Sequence, residues 1–282
     1  MNRFRDRKWP PAFFFLLLFL ACNLPERLES PTPTLSVLAP TPTLQLLQPT
    51  QTAVEPDSGW TLLRAGLERR QISVVTAENQ SREWLYILRL DPANFRFDVA
   101  YRPGQPQSLD QWRAETGAFL VVNGGFFTEG YIATGAIVVN GQASGTSYRD
   151  FGGMLTITAD GPALRWLPQQ PYDPVEGLLA GLQSFPMLVT PGGLLGYPEE
   201  DFQGARRTVI AQDGDGRILF VLAVTGTISL HQVSRFLVES DLNIDRALNL
   251  DGGASTGLLL SEPAEGISAF DLLPTVIVVY QK

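Results

Sequence analysis

Three short segments of the sequence place groups capable of chemistry where predicted strands begin or end. Asn123–Gly125 follows the apolar run Ala118–Val122, Asn249–Ser255 follows a second apolar run, and Arg206–Thr208 leads into a third strand. The segments offer amides, a carboxylate, a hydroxyl and guanidinium groups, which can bind sugar hydroxyls or an anion. The paired glycines in two of them let a ligand approach the backbone closely.

The scarcity of two residue types limits the chemistry further. The 282 residues include one cysteine, Cys22, and one histidine, His231, which excludes an internal disulfide, a multi-cysteine zinc site and a multi-histidine metal site. The formal net charge of −8 argues against nucleic acid as a partner, because a nucleic-acid binder needs a basic surface. Catalysis would therefore rely on carboxylates, arginines, amides and hydroxyls.

The segment around Asp251 has two readings on sequence alone. Asn249 and Asp251 are two residues apart, so their side chains face the same side if the strand continues through them. The other reading is that Asn-Gly and Asp-Gly pairs form tight turns without any ligand. Asp213 and Asp215 present the same choice between a calcium loop and a turn, and the missing late glutamate of a calcium loop favours the turn.

Most of the chain between these segments has strand character. Glycine-containing turns predict hairpins at Asn140-Gly141, at Asp160-Gly161 and at Asp213–Gly216, and a further hairpin is expected around Asp91–Asn94. Helices are expected at Ser108–Thr116 and Ser229–Ser240, which begin with capping-box patterns, and at Val175–Leu182. This pattern predicts an α+β fold, a single domain with a large mixed, mostly antiparallel β-sheet core and a few flanking helices.

The N-terminal part has a different character. Residues 1–21 combine a basic start with a short apolar run, which is typical of a signal peptide. Cys22 follows this run directly, as in bacterial lipoprotein signals, where the cysteine sulfur is lipidated. Residues 22–58 are rich in proline and threonine and predict a semi-rigid linker. The globular domain is expected to span residues 59–282.

The order of the three segments resembles that of the phosphodiester glycosidase family. The sequences NGGFF, ARRT and NLDGGAS occur in the family's order, and Thr134-Gly135 and Gln183–Val189 are similar to further family segments. The resemblance extends over residues 80–280. It implies cleavage of the bond between a sugar C1 and a bridging phosphate.

The resemblance also implies roles for individual residues. In the catalytic group, Asp251 would act as general acid or base or organise the sugar, Arg207 would hold the phosphate, and Asn123 would hydrogen-bond sugar hydroxyls or phosphate oxygens. Arg206 would lie at the surface. The backbone N–H groups of the two glycine pairs would form an anion nest. The substrate-binding residues are then Gly124, Gly125, Gly135, Asn249, Gly252, Gly253 and Ser255. Glu129 is added as a second carboxylate only because it lies next to NGGFF in the sequence.

Two functions from different classes remain open at this point. The first is an exported, lipid-anchored hydrolase, facing the extracellular or periplasmic side, that cleaves sugar-1-phosphodiesters in envelope or extracellular glycans. The second is a surface lipoprotein that binds carbohydrate without cleaving it, a reading motivated by Ala254 and Thr128, which depart from the family pattern. No cofactor is assigned; Mg²⁺ or Ca²⁺ is compatible with carboxylates near a phosphate, but the sequence defines no ligand set.

Overall fold

The computed structural model describes residues 56–76, 81–148 and 150–282. The expected signal peptide, Cys22 and all but the last three residues of the expected linker lie outside the described residues. Within the described part, no helix has the length and apolar character needed to cross a bilayer.

The described residues are mostly β-strand, with two α-helices and one short 3₁₀ turn. The helices are α1 (Leu109–Thr116) and α2 (Leu230–Glu239), and the 3₁₀ turn is Gly253–Ser255. The strands are β1 (Thr61–Arg64), β2 (Leu67–Val75), β3 (Arg82–Leu90), β4 (Phe95–Tyr101), β5 (Leu120–Asn123), β6 (Ile137–Val139), β7 (Gln142–Ser144), β8 (Gly153–Thr158), β9 (Gly161–Trp166), β10 (Ala180–Ser184), β11 (Met187–Thr190), β12 (Leu194–Leu195), β13 (Arg207–Asp213), β14 (Ile218–Ala223), β15 (Ile244–Asn249), β16 (Leu258–Leu260), β17 (Glu265–Ile267) and β18 (Thr275–Gln281).

The strands form three sheets. The large sheet has the order β1-β2-β3-β14-β13-β15-β11-β12, the second sheet β7-β6-β10-β8-β9, and the third sheet β17-β16-β5-β18-β4. Neighbouring strands in all three sheets of the described chain pair antiparallel, so the expected mixed sheet is replaced by purely antiparallel pairing. The expectation of a largely antiparallel β core is confirmed, and helix is scarcer than α+β implied.

The main core lies where the inner faces of the three sheets meet. Phe220 of the large sheet, Leu155 and Leu182 of the second sheet, and Val122 and Ile277 of the third belong to one buried apolar cluster. Full burial of such a side chain contributes about 1.5–3 kcal/mol. This cluster therefore fixes the positions of the strand ends that carry the three polar segments.

The two helices cover outer faces of the sheets, and their starts follow the capping signals. The Ser108 and Ser229 side chains each form a complete capping box with the glutamine three residues later. The α2 residues Val233 and Leu237 pack on the outer face of the large sheet. On α1, Trp112 is buried, and its indole N–H donates to the Leu273 carbonyl oxygen at 2.8 Å.

Three predicted hairpins are confirmed, and one hairpin and one helix are wrong. Pairs β6–β7, β8–β9 and β13–β14 form as expected. Strands β3 and β4, however, lie in different sheets, because β3 is already paired on both edges by β2 and β14. The expected helix at Val175–Leu182 is instead a turn followed by β10, whose residues Ala180 and Leu182 are buried in the main core.

Candidate active site

The three polar segments identified in the sequence come together at the ends of β5, β13 and β15. The Asp251 backbone N–H donates to the Gly124 carbonyl oxygen at 3.1 Å, and the Gly253 N–H donates to the Arg206 carbonyl oxygen at 2.8 Å. The Asn123 amide nitrogen donates to the Asp251 carbonyl oxygen at 2.7 Å. Segments far apart in sequence are thus joined by direct hydrogen bonds around Asp251.

The Asn123 side chain is fully buried, and its hydrogen-bonding capacity is used within the protein. Its oxygen accepts from the Thr208 hydroxyl at 2.8 Å and from the Gly257 N–H at 3.1 Å, while its nitrogen donates to the Asp251 carbonyl oxygen. The side chain therefore holds the other segments together. The sequence had suggested instead that this amide contacts the substrate.

The glycines of the site serve close backbone packing more than ligand approach. A Cβ on Gly124 would lie 2.7 Å from the Thr275 side chain and 2.9 Å from its carbonyl oxygen. A Cβ on Gly125 would lie 2.8 Å from the Gln183 carbonyl oxygen, and one on Gly252 the same distance from the Arg206 carbonyl oxygen. Gly135 likewise has Gln183 and Tyr148 atoms 2.9 Å from its Cβ position, and only Gly253, with φ of 59°, needs the left-handed conformation.

The expected anion nest is not formed by the N–H groups of Gly124, Gly252 and Gly253. These groups donate to the Thr275 carbonyl oxygen, the Asp251 carboxylate and the Arg206 carbonyl oxygen. Since these three N–H groups already have partners within the protein, they are not available to an anion at this place.

Asp251 is a half-buried carboxyl group with a perturbed titration. Burial raises the pKa of Asp251 above the ordinary aspartate value, and the nearby negative charge of Asp271 raises it further. Hydrogen bonds from the Ser255 hydroxyl and the Gly252 N–H oppose this shift. Ser255 thus contacts the carboxyl group from a buried position, which leaves it little surface to offer a substrate. A carboxyl group with a raised pKa is typical of a general acid or base.

Two adjacent arginines at the start of β13 have no carboxylate partner in the part of the chain that the structure describes. Among the described residues, neither Arg206 nor Arg207 forms a salt bridge, and both are half-buried. Burial lowers the pKa of both guanidinium groups, and the opposing effects of the Glu83 charge on Arg206 and of the Asp201 charge on Arg207 are smaller. The Arg206 position differs from the sequence expectation, which placed this residue at the surface.

The two arginine side chains make different contacts. Arg207 donates to the Gln203 carbonyl oxygen, and its Nε has no partner among the described residues. Arg206 donates to the Ser268 carbonyl oxygen at 3.0 Å, stacks 4.3 Å above the Phe270 ring, and has unpartnered Nε and Nη1 atoms. Each guanidinium group thus has at least one buried donor that no group in the described part of the chain satisfies.

Asn249 and Ser184 add buried polar atoms without partners. The Asn249 amide nitrogen donates to the Phe185 carbonyl oxygen at 3.0 Å, whereas its oxygen has no partner among the described residues. The Ser184 hydroxyl is buried and also lacks one. Because buried polar groups are usually satisfied, such atoms are candidates for ligand or water contacts.

Glu129 is exposed, lies in the loop after Phe127, and takes no part in the hydrogen bonds that join the three segments. Nearby, the sequence reasoning missed an aromatic cluster. Phe185 lies 4.6 Å from Phe126 and 5.4 Å from Tyr148 between ring centroids, and Phe151 completes the group with almost half of its surface exposed. These residues are scattered in sequence, so only the fold brings them together.

A second missed residue is Glu83, a fully buried carboxylate on β3. It accepts hydrogen bonds from the backbone N–H groups of Thr225, Gly226 and Thr227 at 2.7–2.9 Å. The loop that Glu83 holds runs beside Arg206, since a Cβ on Gly226 would lie 3.3 Å from the backbone nitrogen of Arg206. Glu83 thus positions the loop Thr225–Thr227 next to Arg206.

The acidic groups of the described chain do not form a metal cage. No group of three or more His, Cys, Asp or Glu side chains suited to a metal ion occurs among the described residues. The Asp213 carboxylate instead accepts from the Asp215 and Arg217 backbone N–H groups and from the Arg217 side chain, which confirms the turn reading.

Comparison with known proteins agrees with the sequence pattern. The profile described as phosphodiester glycosidase matches residues 116–280, more than half of the chain. The chain belongs to the phosphodiester glycosidase family. All three site segments lie within the matched residues. No curated protein sequence matches the chain significantly.

Solved structures share the family fold at low sequence identity. The catalytic domain of zebrafish N-acetylglucosamine-1-phosphodiester α-N-acetylglucosaminidase, auto-inhibited by its pro-peptide, matches with a TM-score of 0.63 and 17% identity, covering 77% of this chain and 84% of that one. A hypothetical protein from Synechocystis matches with a TM-score of 0.54 and 15% identity, covering 77% of this chain and 62% of that one. A putative exported protein from Burkholderia pseudomallei matches with a TM-score of 0.53 and 13% identity, covering 73% of this chain and 75% of that one.

Proposed function

We propose that this phosphodiester glycosidase family member hydrolyses a sugar-1-phosphodiester, cleaving the bond between the sugar C1 and the phosphate oxygen. The observation that carries the proposal is the setting of Asp251. Its half-buried carboxyl group, with a raised pKa, lies two residues before Gly253, whose N–H donates to the Arg206 carbonyl oxygen, and among the described residues neither Arg206 nor Arg207 has a carboxylate partner. The activity in the zebrafish relative's name supports the same substrate class.

In this reaction the arginines would bind the phosphate, and Asp251 would act as the general acid or base. The C1–O bond breaks with its electron pair passing to the phosphate oxygen, and water supplies the new oxygen at C1. The products are a free sugar and a phosphomonoester. An oxocarbenium-like transition state needs a carboxyl group near C1. Guanidinium groups stabilise the departing phosphate charge by paired hydrogen bonds.

Other residues of the site serve the same reaction indirectly in this proposal. They are Asn123, Gly124, Gly252 and Gly253. Their hydrogen bonds and close contacts fix the backbone on both sides of Asp251. The unpartnered Asn249 oxygen and the aromatic cluster around Phe185 would contact the sugar. Asn123 is accordingly a positioning residue, while Asp251, Arg206 and Arg207 contact the reacting groups.

The decisive test is hydrolysis by the full-length chain in detergent, followed as free sugar released from a panel of sugar-1-phosphodiesters. We expect turnover by the unmodified chain and a loss of about 100-fold or more in kcat for Asp251→Asn. Arg206→Ala and Arg207→Ala should each lower kcat/KM. The matched control is Asp160→Asn, in the exposed β8–β9 turn. Full activity of Asp251→Asn would disprove the assignment.

Glycan binding without turnover is the second candidate. The partly exposed aromatic cluster of Phe126, Tyr148, Phe151 and Phe185 favours it, because aromatic faces commonly contact sugar rings. Saturable binding of phosphodiesters by the unmodified chain, with no sugar released from any member of the panel, would establish this function in place of hydrolysis.

We further propose that the protein is exported and anchored by lipid on Cys22, on the outer side of the membrane. The basic start, the short apolar run and the cysteine at its end support this proposal. Metabolic labelling with a fatty-acid analogue should mark the full-length chain in the membrane fraction. Cys22→Ser should abolish the label, and equal labelling of this variant would contradict the anchor.

A further inference from the structure

Two exposed phenylalanines lie beside Arg206 and Arg207. Phe270 has 76% of its surface exposed, and the Arg206 guanidinium stacks 4.3 Å above its ring. Phe202 has 63% of its surface exposed and directly precedes Gln203, whose carbonyl oxygen accepts from the Arg207 side chain. Within the part of the chain that the structure describes, the other exposed phenylalanine is Phe151 of the aromatic cluster at the site. All exposed phenylalanine surface of the described residues therefore adjoins the site.

Backbone hydrogen bonds hold Phe270 and Phe202 in their exposed positions. The Phe270 N–H donates to the Ala254 carbonyl oxygen at 2.7 Å, in the segment that carries Asp251. The Phe202 N–H donates to the Glu200 carboxylate at 2.9 Å, and its φ of 56° is uncommon for a residue other than glycine. Burial of a phenylalanine contributes about 1.5–3 kcal/mol, which these two side chains forgo in the free protein. Such apolar surface is typical of a place that a partner covers.

The apolar surface at Phe202 extends beyond that side chain. Phe202 lines an open groove of about 450 Å³ together with Val75 at the end of β2 and Phe236 of α2. Val75 is itself exposed. Arg235 and Glu239, which also line the groove, form an ion pair with each other. The groove thus adds apolar area to the same end of the large sheet.

The first described residues of the chain lie at this end of the large sheet as well. Paired residues form one row across the sheet from Arg207 to Asp57, through Ala223, Leu85 and Ile72. Four strand spacings of about 4.8 Å make this row about 19 Å long. The Pro56 carbonyl oxygen accepts from the Ser73 N–H, one residue beyond the row on the side of Arg206. The chain that leads from Cys22 therefore joins the domain at the end that carries the site.

A lipid bilayer is the partner that this arrangement fits. Phenylalanine side chains are among those that enter the boundary between lipid headgroups and acyl chains. The proposed anchor on Cys22 holds the chain at a membrane, and the domain is connected to that anchor at the end where Phe202 and Phe270 are exposed. Docking on the same membrane is then an intramolecular step, so a small apolar contact suffices for it.

We infer that this end of the domain docks on a lipid bilayer through Phe202 and Phe270. The inference rests on the proposed function and the proposed anchor, and it names the substrate class as a sugar-1-phosphodiester whose leaving group is the phosphate of a membrane lipid alcohol. Arg206 and Arg207 hold the phosphate at the bilayer surface. Water adds to the sugar C1, and the C1–O electron pair passes to the phosphate oxygen. Free sugar is released, and the lipid phosphate stays in the membrane.

Acidic side chains beside the two phenylalanines determine which bilayer suits a test. Glu200 and Asp201 directly precede Phe202, and Asp271 directly follows Phe270. Their charges are repelled by the negative surface potential of anionic lipids. Vesicles of zwitterionic phosphatidylcholine are therefore the appropriate probe.

Docking is tested with the full-length chain reconstituted into phosphatidylcholine vesicles whose acyl chains carry bromine, which quenches tryptophan fluorescence on contact. In Phe202→Trp and Phe270→Trp, we expect the emission gained over the unmodified chain to be quenched about twofold relative to vesicles without bromine. The matched control is Leu179→Trp. Leu179 is 54% exposed and lies about 16 Å along β10 from Ser184, at the end of that strand remote from the site, so its emission should be unchanged.

The substrate class is tested with two phosphodiesters of the same sugar in these vesicles, one carrying a methyl group and the other a long-chain alkyl group. We expect a higher kcat/KM for the long-chain compound. The double variant Phe202→Ser/Phe270→Ser should lower the ratio of the two kcat/KM values by about tenfold, since it removes two apolar contacts with the bilayer. Leu179→Ser is the control and should leave the ratio unchanged.

The outcomes separate this inference from the proposed function. If the methyl compound is cleaved but bromine quenches neither Phe202→Trp nor Phe270→Trp, or quenches Leu179→Trp equally, the docking surface is wrong and the proposed function stands. If docking is observed without a preference for the long-chain compound, the lipid substrate class is wrong. If neither compound is cleaved, the proposed function fails, and the quenching measurement still decides whether this end of the domain docks.

Discussion

The side-chain amide of Asn123 donates a 2.7 Å hydrogen bond to the backbone carbonyl oxygen of Asp251, 128 residues later in the chain. The Asn123 oxygen accepts from Thr208 and Gly257, so one buried amide links the ends of β5, β13 and β15. The position of the Asp251 carboxyl group therefore depends on a residue that makes no contact with solvent.

Asn123→Asp should damage both stability and activity although it hardly changes side-chain size. The substitution places an acceptor against the Asp251 carbonyl oxygen and a charge in a buried site, so we expect a loss of about 1–3 kcal/mol in the free energy of unfolding. Urea denaturation measures this loss, and kcat should fall with it. Asn140→Asp, in an exposed hairpin turn, is the control and should change neither quantity. If Asn123→Asp is as stable as the wild type, the Asn123 amide does not stabilise the links between β5, β13 and β15.

Asp251→Asn should stabilise the fold increasingly as the pH rises. The folded-state pKa of Asp251 is raised, so the folded state binds the proton more tightly than the unfolded chain. The stabilisation that comes from this proton is present at low pH and is lost as the pH rises through the folded-state pKa. Asparagine does not ionise. The difference in thermal midpoint, variant minus wild type, should be more positive at pH 7 than at pH 4, and a difference that does not grow would refute the raised pKa.

Asp271→Asn should shift the pH–rate profile toward acid. The Asp271 charge raises the pKa of Asp251, so its removal lowers that pKa. The limb of the profile that reports Asp251 moves to lower pH whether the group acts as acid or as base. Initial rates across pH 3–8 measure the shift, with Asp110→Asn, exposed on α1, as the control. A limb that stays in place would show that the two carboxyl groups do not interact.

Gly124→Ala and Thr275→Ala should couple. The new Cβ at position 124 would meet Thr275 Cγ2 at 2.7 Å and Thr275 Oγ1 at 3.0 Å, so we expect Gly124→Ala to cost about 1–3 kcal/mol by overpacking. Thr275→Ala removes both of these atoms but leaves the carbonyl oxygen. The double variant should therefore be more stable than the sum of the single effects, which a double-mutant cycle measures. If the effects of the two substitutions simply add, the cost of Gly124→Ala does not come from contact with the Thr275 side chain.

Local sequence signals predicted the features that depend on neighbouring residues. Asn140-Gly141 adopts positive φ values of 51° and 74° and closes a hairpin, and Ser108 and Ser229 cap the two helices. Each of these features is decided within a few residues of the chain. The capping boxes and glycine turns were therefore readable without knowledge of the fold.

Long-range partners were not readable in the same way. The turn at Asp91–Asn94 has hairpin chemistry, but the strands on either side enter different sheets because β14 occupies the free edge of β3. The roles of Asn123 and Gly124 depend on Thr208 and Thr275, which are distant in sequence. The sequence indicated that these segments belong together, while the fold decided which groups point to a ligand and which brace the backbone.

The position of Glu83 sets a lower limit on the length of a functional fragment. Its carboxylate, on β3, accepts from the backbone N–H groups of Thr225, Gly226 and Thr227 beside Arg206. β3 precedes residue 116, where the family match begins, whereas Asp251 and both arginines lie within the match. A truncated chain that begins at residue 116 would lose the acceptor that holds this loop, so a minimal functional fragment must include β3.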